Sequence, residues 1–407
     1  MPSKFLGPMT RRRLMLGAAP LLAVPLVGCE SGHSTHTGIG DLFSNPVPNA
    51  PPPAAQPLPT SGDVIGTGSV KVALILPKSA GGQSGAIADQ LRNAAALALR
   101  NYTGANLQLV VKDDAGTTEG GAKAASDAID EGAQLIIGPL LAVSARGAAG
   151  PARQANVPMV TFTTDTSVGG HGVYLISFLQ ANDVERVISF AASQGRKSVA
   201  AIIPEDAFGA IAEASLRTSA ANHDMRVLTL EHYKDPTDML AKAQSVGKLS
   251  AQIDTVFVPD MASNAAQIVD AMVAAGLDTR RVKVLGTGRW NDPSAFSLAS
   301  LNGAWFPAVD PELSAAFRAE YRTAYGTDPG PLAVLGYEAA YLAAGLERKV
   351  GKDPFREDVL MLRKGFIGRT GVFRFNADGT SERGLAVLEI NAGTVRVVSP
   401  APREFIV

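Results

Sequence analysis

Between Val70 and Leu285, uninterrupted apolar runs alternate with stretches whose apolar side chains recur at helical spacing. Few folds accommodate that pattern. Val70-Lys-Val-Ala-Leu-Ile-Leu76 is a continuous β-type run ended by Pro77, after which Ile87, Leu91, Ala95, Ala98 and Tyr102 mark one helical face. Leu107 to Val111, Gln134 to Ile137 and Val157 to Phe162 read as further strands. The Ala-rich segments Gly120–Glu131 and Ser144–Gln154 read as the helices between them. Strands apolar on both faces must be covered on both faces, so they predict a parallel sheet sandwiched by helices. The alternation then restarts: a helix carrying Val184, Val187, Ile188 and Ala191 leads to strands at Ser198–Ile203, Arg226–Leu230, Thr255–Val258 and Lys283–Leu285. Two such series predict two doubly wound lobes, and 407 residues of which 46% are apolar can fill two cores.

Several segments then resemble one family. Val70 to Ser79, Lys112-Asp-Asp-Ala-Gly116, Ile136-Ile-Gly-Pro139 and Ala155-Asn-Val-Pro158 resemble the strand-end segments of leucine/isoleucine/valine-binding proteins. Pro204 to Gly209 is similar to the opening of that family's second lobe, and Gly371 to Gly379 to its C-terminal hairpin. The resemblance implies an α/β protein of the type I periplasmic-binding-protein fold: two doubly wound parallel-sheet lobes joined by three crossovers, with ligand held between them. It places lobe 1 at residues 69–180 and 304–368, and lobe 2 at residues 181–303 and 369–407.

The N-terminus carries its own signals. Lys4 and Arg11-Arg12-Arg13 precede fourteen apolar residues, Leu14 to Val27, too short for an ordinary span and suited to a signal-peptide core. Leu26-Val-Gly-Cys29 follows and resembles the lipobox of bacterial lipoproteins, which implies lipidation of Cys29, the chain's single cysteine, and removal of residues 1–28. Thr10 to Met15 also resembles a twin-arginine signal, leaving the export route open. Residues 29–68 hold seven prolines between Pro46 and Pro59 with few large apolar groups, and are expected to form a disordered tether. His33 and His36 within it lack the further ligands a metal site needs.

Ligands of open α/β sheets bind beyond the carboxyl ends of the strands, where loops and helix N-termini offer N–H groups. That rule nominates the loops at Lys78–Gly85, Leu141–Ser144, Thr163–Thr166, Asp206–Gly209, Pro259–Ser263 and Gly286–Asp292. Within them Ser79, Ala142, Ser144, Thr163, Asp165, Phe208, Asp260 and Arg289 are the expected ligand contacts. Set against the family pattern, Ala142 stands where amino-acid binders carry a hydroxyl, and Asp165 where they carry Thr. Phe208 keeps the stacking ring without its hydroxyl. The acid that pairs with a ligand ammonium falls near Gly288, with Arg289 adjacent. A buried zwitterion needs both charges paired, so a free α-amino acid is not the expected ligand.

No catalytic constellation competes. Gly82-Gln-Ser-Gly-Ala86 lacks the last Gly of a nucleophile elbow, and Gly286-Thr-Gly-Arg-Trp-Asn291 lacks the third Gly of a dinucleotide fingerprint. His171, His223 and His232 are scattered, and Asp113-Asp114 reads as a turn. No enzyme, cofactor or metal is therefore expected, and 37 basic against 38 acidic residues leave no charge excess for nucleic acid. Two functions remain. One is capture of a small polar solute (amino acid, amide or peptide-like) for an ABC permease. The other follows from a likeness of Val160–Val168 to penicillin-binding-protein activators: regulation of a peptidoglycan synthase from a lipid anchor in the outer membrane.

Overall fold

A computed structural model describes residues 64–405; Cys29, the expected signal and most of the expected tether lie outside the described residues. The first sheet contains β1 (Val64–Ile65), β2 (Val70–Leu76), β3 (Leu107–Asp113), β4 (Leu135–Ile137), β5 (Met159–Thr161) and β6 (Val173–Leu175). Helices α1 (Gly82–Asn101), α2 (Thr118–Asp130) and α3 (Ala142–Gln154) connect its parallel strands, in the order β1-β3-β2-β4-β5-β6. Burial explains the all-apolar runs: Val72 to Leu76 have no accessible surface, because helices cover both faces.

The chain then passes to α4 (Gln180–Ser193), β7 (Ser198–Pro204), α5 (Ala207–Asn222), β8 (Arg226–Tyr233), α6 (Pro236–Gly247), β9 (Thr255–Phe257), α7 (Ala262–Ala274) and β10 (Lys283–Leu285). A short α8 (Pro293–Phe296) precedes β11 (Trp305–Ala308), after which α9 (Pro311–Tyr325), α10 (Ala333–Val350) and α11 (Glu357–Leu360) return to the first core. The hairpin series β12 (Phe366–Gly368), β13 (Gly371–Phe375) and β14 (Ser381–Arg383) follows, then β15 (Ala386–Asn391) and β16 (Thr394–Ser399). The second sheet runs β16-β15-β11-β10-β9-β7-β8, parallel from β11 to β8 and antiparallel at β15 and β16. Helices α6, α8 and α9 each open with Asp followed by Pro. The Asp side chain caps N–H groups and Pro takes a position whose N–H has no helical partner.

Thus two doubly wound sheets are joined by three crossovers, after β6, after β11 and after β14. The boundaries differ from expectation at three places. Trp305–Ala308 belongs to the second sheet, paired with both β10 and β15, so that crossover follows Ala308. Phe373 and Phe375 pack into the first core against Phe366, so the last crossover comes after Arg383 and not at residue 369. Val64 and Ile65, assigned to the tether, pair antiparallel with Val110 and Leu109 and extend the first sheet by one edge strand.

A buried ion pair fastens the third crossover. Arg383 Nη1 donates to Glu338 Oε2 at 2.9 Å, the two side chains being 2% and 0% exposed. Thr370 donates its N–H and hydroxyl to Glu338 Oε1, and Arg383 also donates to the carbonyls of Ile176 and Ser177 in the first crossover. Two of the three connections are thus tied together by one guanidinium, that of Arg383.

Candidate functional site

In each sheet the strand order reverses once, between β2 and β4 in the first and between β7 and β9 in the second. Helices diverge to opposite faces at such a point and leave a crevice at the carboxyl ends of the strands. The first two crossovers leave their sheets at those same ends, after Leu175 and after Ala308. The crevices of both sheets therefore open beside the connections.

On the first sheet, Ser79 is exposed and donates its N–H to Asp113 Oδ1 at 3.2 Å, where Ala115 N also donates at 2.9 Å. Burial works upward on the Asp113 carboxyl, but hydrogen bonds from the Ser79 hydroxyl and from the N–H groups of Ala115, Ser79 and Lys78 hold it below the usual range. Asp114 accepts the Gly116 N–H at 2.7 Å and is raised, chiefly by burial. The adjacent pair is thus a turn, as expected. Gly138 ends β4 at φ +94°, and a Cβ there would meet Ile75 O at 2.1 Å, so only glycine fits. Ala142 begins α3, whose N-terminus has no side-chain cap and leaves N–H donors available. Ser144, in the first turn, is fully buried. Its hydroxyl and Asp114 Oδ2 lack a formed hydrogen bond among the described residues, although Ser144 lies near enough to pull the Asp114 carboxyl down slightly.

Thr163 is buried, and its hydroxyl accepts the N–H of Asp165 at 3.1 Å. Asp165 is held by its own lobe: it accepts the Ser167 N–H at 3.1 Å and the Ser167 hydroxyl at 2.6 Å, and it pairs with Arg146. The Ser167 hydrogen bond, with Arg146 behind it, keeps this carboxyl below its ordinary value. Asp165 therefore caps a turn and offers little negative charge to a ligand.

On the second sheet, Asp206 caps α5 through Gly209 N at 2.7 Å and presents Phe208 at the helix start. The exposed Arg289 lays its guanidinium carbon 3.3 Å from the Phe208 ring centroid. These two expected residues come together, forming a flat cationic surface with outward N–H donors. Asp260 serves a different purpose. Its Oδ2 accepts the Tyr233 hydroxyl and Asn264 Nδ2, its Oδ1 accepts the Met261 N–H, and its carbonyl accepts Trp290 Nε1 at 2.9 Å. It is 6% exposed and ties β8, α7 and the Trp290 turn together, so it is a structural knot more than a ligand contact.

The sequence reading did not single out Asp183. It lies in the first turn of α4, its Oδ2 accepting the Gly288 N–H at 2.8 Å. The carboxyl is enclosed although part of the residue remains accessible, and burial pushes it up to about 7, opposed only by the Gly288 N–H. Three residues earlier Gln180 Nε2 donates to the Phe208 carbonyl at 2.9 Å. Asp183, Gly288, Arg289, Phe208 and Gln180 are thus one connected group. Nothing local marked Asp183, since an acid in a first helical turn is ordinarily read as complementing the helix dipole.

A pocket of about 840 Å³ lies elsewhere, at the amino ends of β4 to β6, lined by Gln134, Arg153, Val157, His171, Tyr174 and Phe355 among others. Burial raises its Tyr174 hydroxyl to about 12, with Glu357 adding to the shift. Among the described residues no group of three His, Cys, Asp or Glu side chains is placed to hold a metal, and no helix is long and apolar enough to cross a membrane.

Two sheets of 2-1-3-4-5 order, triple crossovers and paired crevices define a two-lobed binding protein. The periplasmic binding protein family matches residues 69–394, and the chain belongs to that family. No curated protein sequence matches it. Among solved structures, a protein assigned as a branched-chain amino acid ABC transporter from Rhodospirillum rubrum is 18% identical, with 81% of this chain and 99% of that one covered at a TM-score of 0.69. A branched-chain amino acid ABC transporter periplasmic ligand-binding protein from Burkholderia xenovorans LB400 is 16% identical over 82% and 96%, TM-score 0.65. A solute binding protein of an ABC transporter from Rhodopseudomonas palustris BisB5, in complex with 3,4-dihydroxy benzoic acid, is 22% identical over 83% and 97%, TM-score 0.55. The likeness to leucine-binding proteins read from the sequence is borne out at the level of family and fold.

Proposed function

We propose that this chain is an exported, lipid-anchored, non-catalytic solute-binding protein that captures a small polar solute between its lobes and presents it to an ABC permease. One observation carries the reading: at the carboxyl end of β7, Phe208 and Arg289 form a stacked surface beside the first crossover. On the first sheet, the uncapped N-terminus of α3 at Ala142 and the buried Ser144 hydroxyl follow the carboxyl end of β4. A flat guanidinium face backed by an aromatic ring recognises a small planar solute with an acceptor group. Closure of the lobes about the three crossovers would complete the contacts, and the solute supplies the differential affinity that drives closure.

The comparisons support the class of ligand only broadly, since the similar structures include a branched-chain amino acid binder and one holding an aromatic acid. In this reading residues 1–28 direct export, Cys29 carries the lipid and residues 30–63 hold the body off the membrane. A melting-shift screen over amino acids, amides, peptides, aromatic acids and muropeptides tests it. The reading predicts a shift with at least one small solute. No shift at millimolar concentration, together with capture of a peptidoglycan synthase, would replace it with the activator role.

A further inference from the structure

The cavity at the amino ends of β4, β5 and β6 lies at the opposite end of the first sheet from the crevice. Helix α3 spans the distance. It begins at Ala142, on the crevice side, and its last turn walls the cavity with Ala152 and Arg153, 13 residues or ~20 Å along. The facing wall is the connection from α10 into α11, Asp353 to Glu357. At about 840 Å³ the space falls within the ~300–1,000 Å³ usual for a small-molecule site.

Its walls hold hydrogen-bonding groups that the fold leaves unused. Tyr174 is 2% exposed, yet its hydroxyl has no hydrogen-bond partner among the described residues, where a buried phenol ordinarily finds one. The charge of Glu357 acts on that hydroxyl, so the orphan group lies toward the α11 wall. The side chains of Gln134, Asn156, His171 and Glu357 are exposed at the cavity and make no hydrogen bond or ion pair among the described residues. Arg153 is fixed in place, its Nη2 donating to the carbonyls of Val168 at 2.7 Å and Gly170 at 3.2 Å. Backbone strain gathers here as well. Asn156, His171 and Asp353 stand at φ +53°, +50° and +50°, three of the six non-glycine residues with positive φ among those described, and they line one cavity from three separate loops. Such conformations persist where the surroundings fix them, and they recur at ligand sites.

We propose that this cavity is a second ligand site, separate from the crevice between the lobes, that takes an uncharged polyhydroxylated molecule of one or two sugar units. Charge selects the class. Arg153 and Arg356 are balanced by Asp353 and Glu357, so the walls favour neither an anion nor a cation. Each sugar hydroxyl both donates and accepts. The amides of Gln134 and Asn156 offer a donor and an acceptor apiece, Tyr174 offers a hydroxyl, the Glu357 carboxylate accepts and Arg153 donates. Val157 and Pro158 add apolar surface for the C–H face of a ring. This site stands whether or not the crevice holds a solute.

The test titrates the full chain calorimetrically with glucose, N-acetylglucosamine and maltose, and with glucuronate and glucosamine as anionic and cationic counterparts. At least one neutral sugar should bind at millimolar concentration or below, and its charged counterparts at least tenfold more weakly. Gln134→Ala combined with Asn156→Gly removes both amides, while glycine keeps the left-handed backbone at 156, so the fold is retained. That variant should lose about tenfold in affinity for the sugar. Tyr174→Phe should also weaken binding without lowering the unliganded melting temperature, since the hydroxyl it removes has no partner in the protein. Phe208→Ala, in the crevice, should stay within twofold of wild type. Binding by no neutral sugar, or by the charged sugars as tightly, would overturn the proposal. So would sugar binding that survives the amide variant and disappears in Phe208→Ala, which would move the sugar to the crevice and leave the solute-binding reading intact.

Discussion

Asp183→Asn has a consequence for stability that is independent of any ligand. The carboxyl stands at about 7 in the folded chain against a reference value of 3.8. Between about pH 4 and 7 the folded state therefore keeps a proton that the unfolded state has released, and stability falls as pH rises through that window. Above pH 7 the full cost is present. A displacement of about three units corresponds to about 4 kcal/mol. Partial access to solvent and the retained Gly288 N–H argue for a smaller effect, on the order of 2 kcal/mol. The Asn variant lacks this titration. Urea unfolding of both proteins across pH should give curves that meet near pH 4 and separate in favour of the variant by pH 8. Parallel curves over the whole range, or a variant less stable at pH 8, would refute the picture of an enclosed, uncompensated acid.

Other consequences are more direct. Phe208→Ala removes the ring beneath Arg289 and should weaken solute binding by ~1–3 kcal/mol, with little change in the unliganded melting temperature; unaltered affinity would remove Phe208 from the site. Glu338→Ala leaves Arg383 buried and unpaired, and should cost about 3–5 kcal/mol in denaturant unfolding, whereas a loss under 1 kcal/mol would mean the crossover is not fastened there. Limited proteolysis should trim the chain no further than the residues just before Val64, because Val64 and Ile65 are paired into the first sheet; a stable core starting at Val70 would contradict that pairing. Cys29→Ser should release the protein from the detergent phase to the soluble fraction, and equal partitioning of mutant and wild type would discard the lipid anchor.

How much of this was legible in the sequence depends on the range of the interaction involved. Strands such as Val70–Leu76 and Ser198–Pro204 announce themselves, because burial on both faces writes a continuous apolar run. The loops following them are then fixed by the carboxyl-end rule, and the family resemblance singles out Phe208 and Arg289 within them. The second crossover was misplaced because Trp305–Ala308 contains Pro307, which reads as a break, and only pairing with β10 and β15 makes it a strand. Val64–Ile65 is two residues among polar neighbours, too short to show a period. Asp165 and Asp260 looked like ligand groups because loop acids at strand ends usually face solvent or ligand. Their partners, Arg146 at one and Tyr233 and Asn264 at the other, lie elsewhere in the chain or a helical turn away. Asp183 failed in the opposite sense, its neighbour Gly288 being 105 positions along the chain.

The central claim is that a solute draws the two lobes together. Glu119 opens α2 at the carboxyl end of β3, and Gln267 lies in α7 beyond that of β9; both are exposed. Spin labels at Glu119→Cys and Gln267→Cys, in a chain with Cys29→Ser, report the separation of the lobes by pulsed electron resonance. The account predicts a shorter and narrower distance distribution when a solute that shifts the melting temperature is added, and the unliganded distribution again when Phe208 is Ala. A distribution unchanged at saturating solute would contradict it.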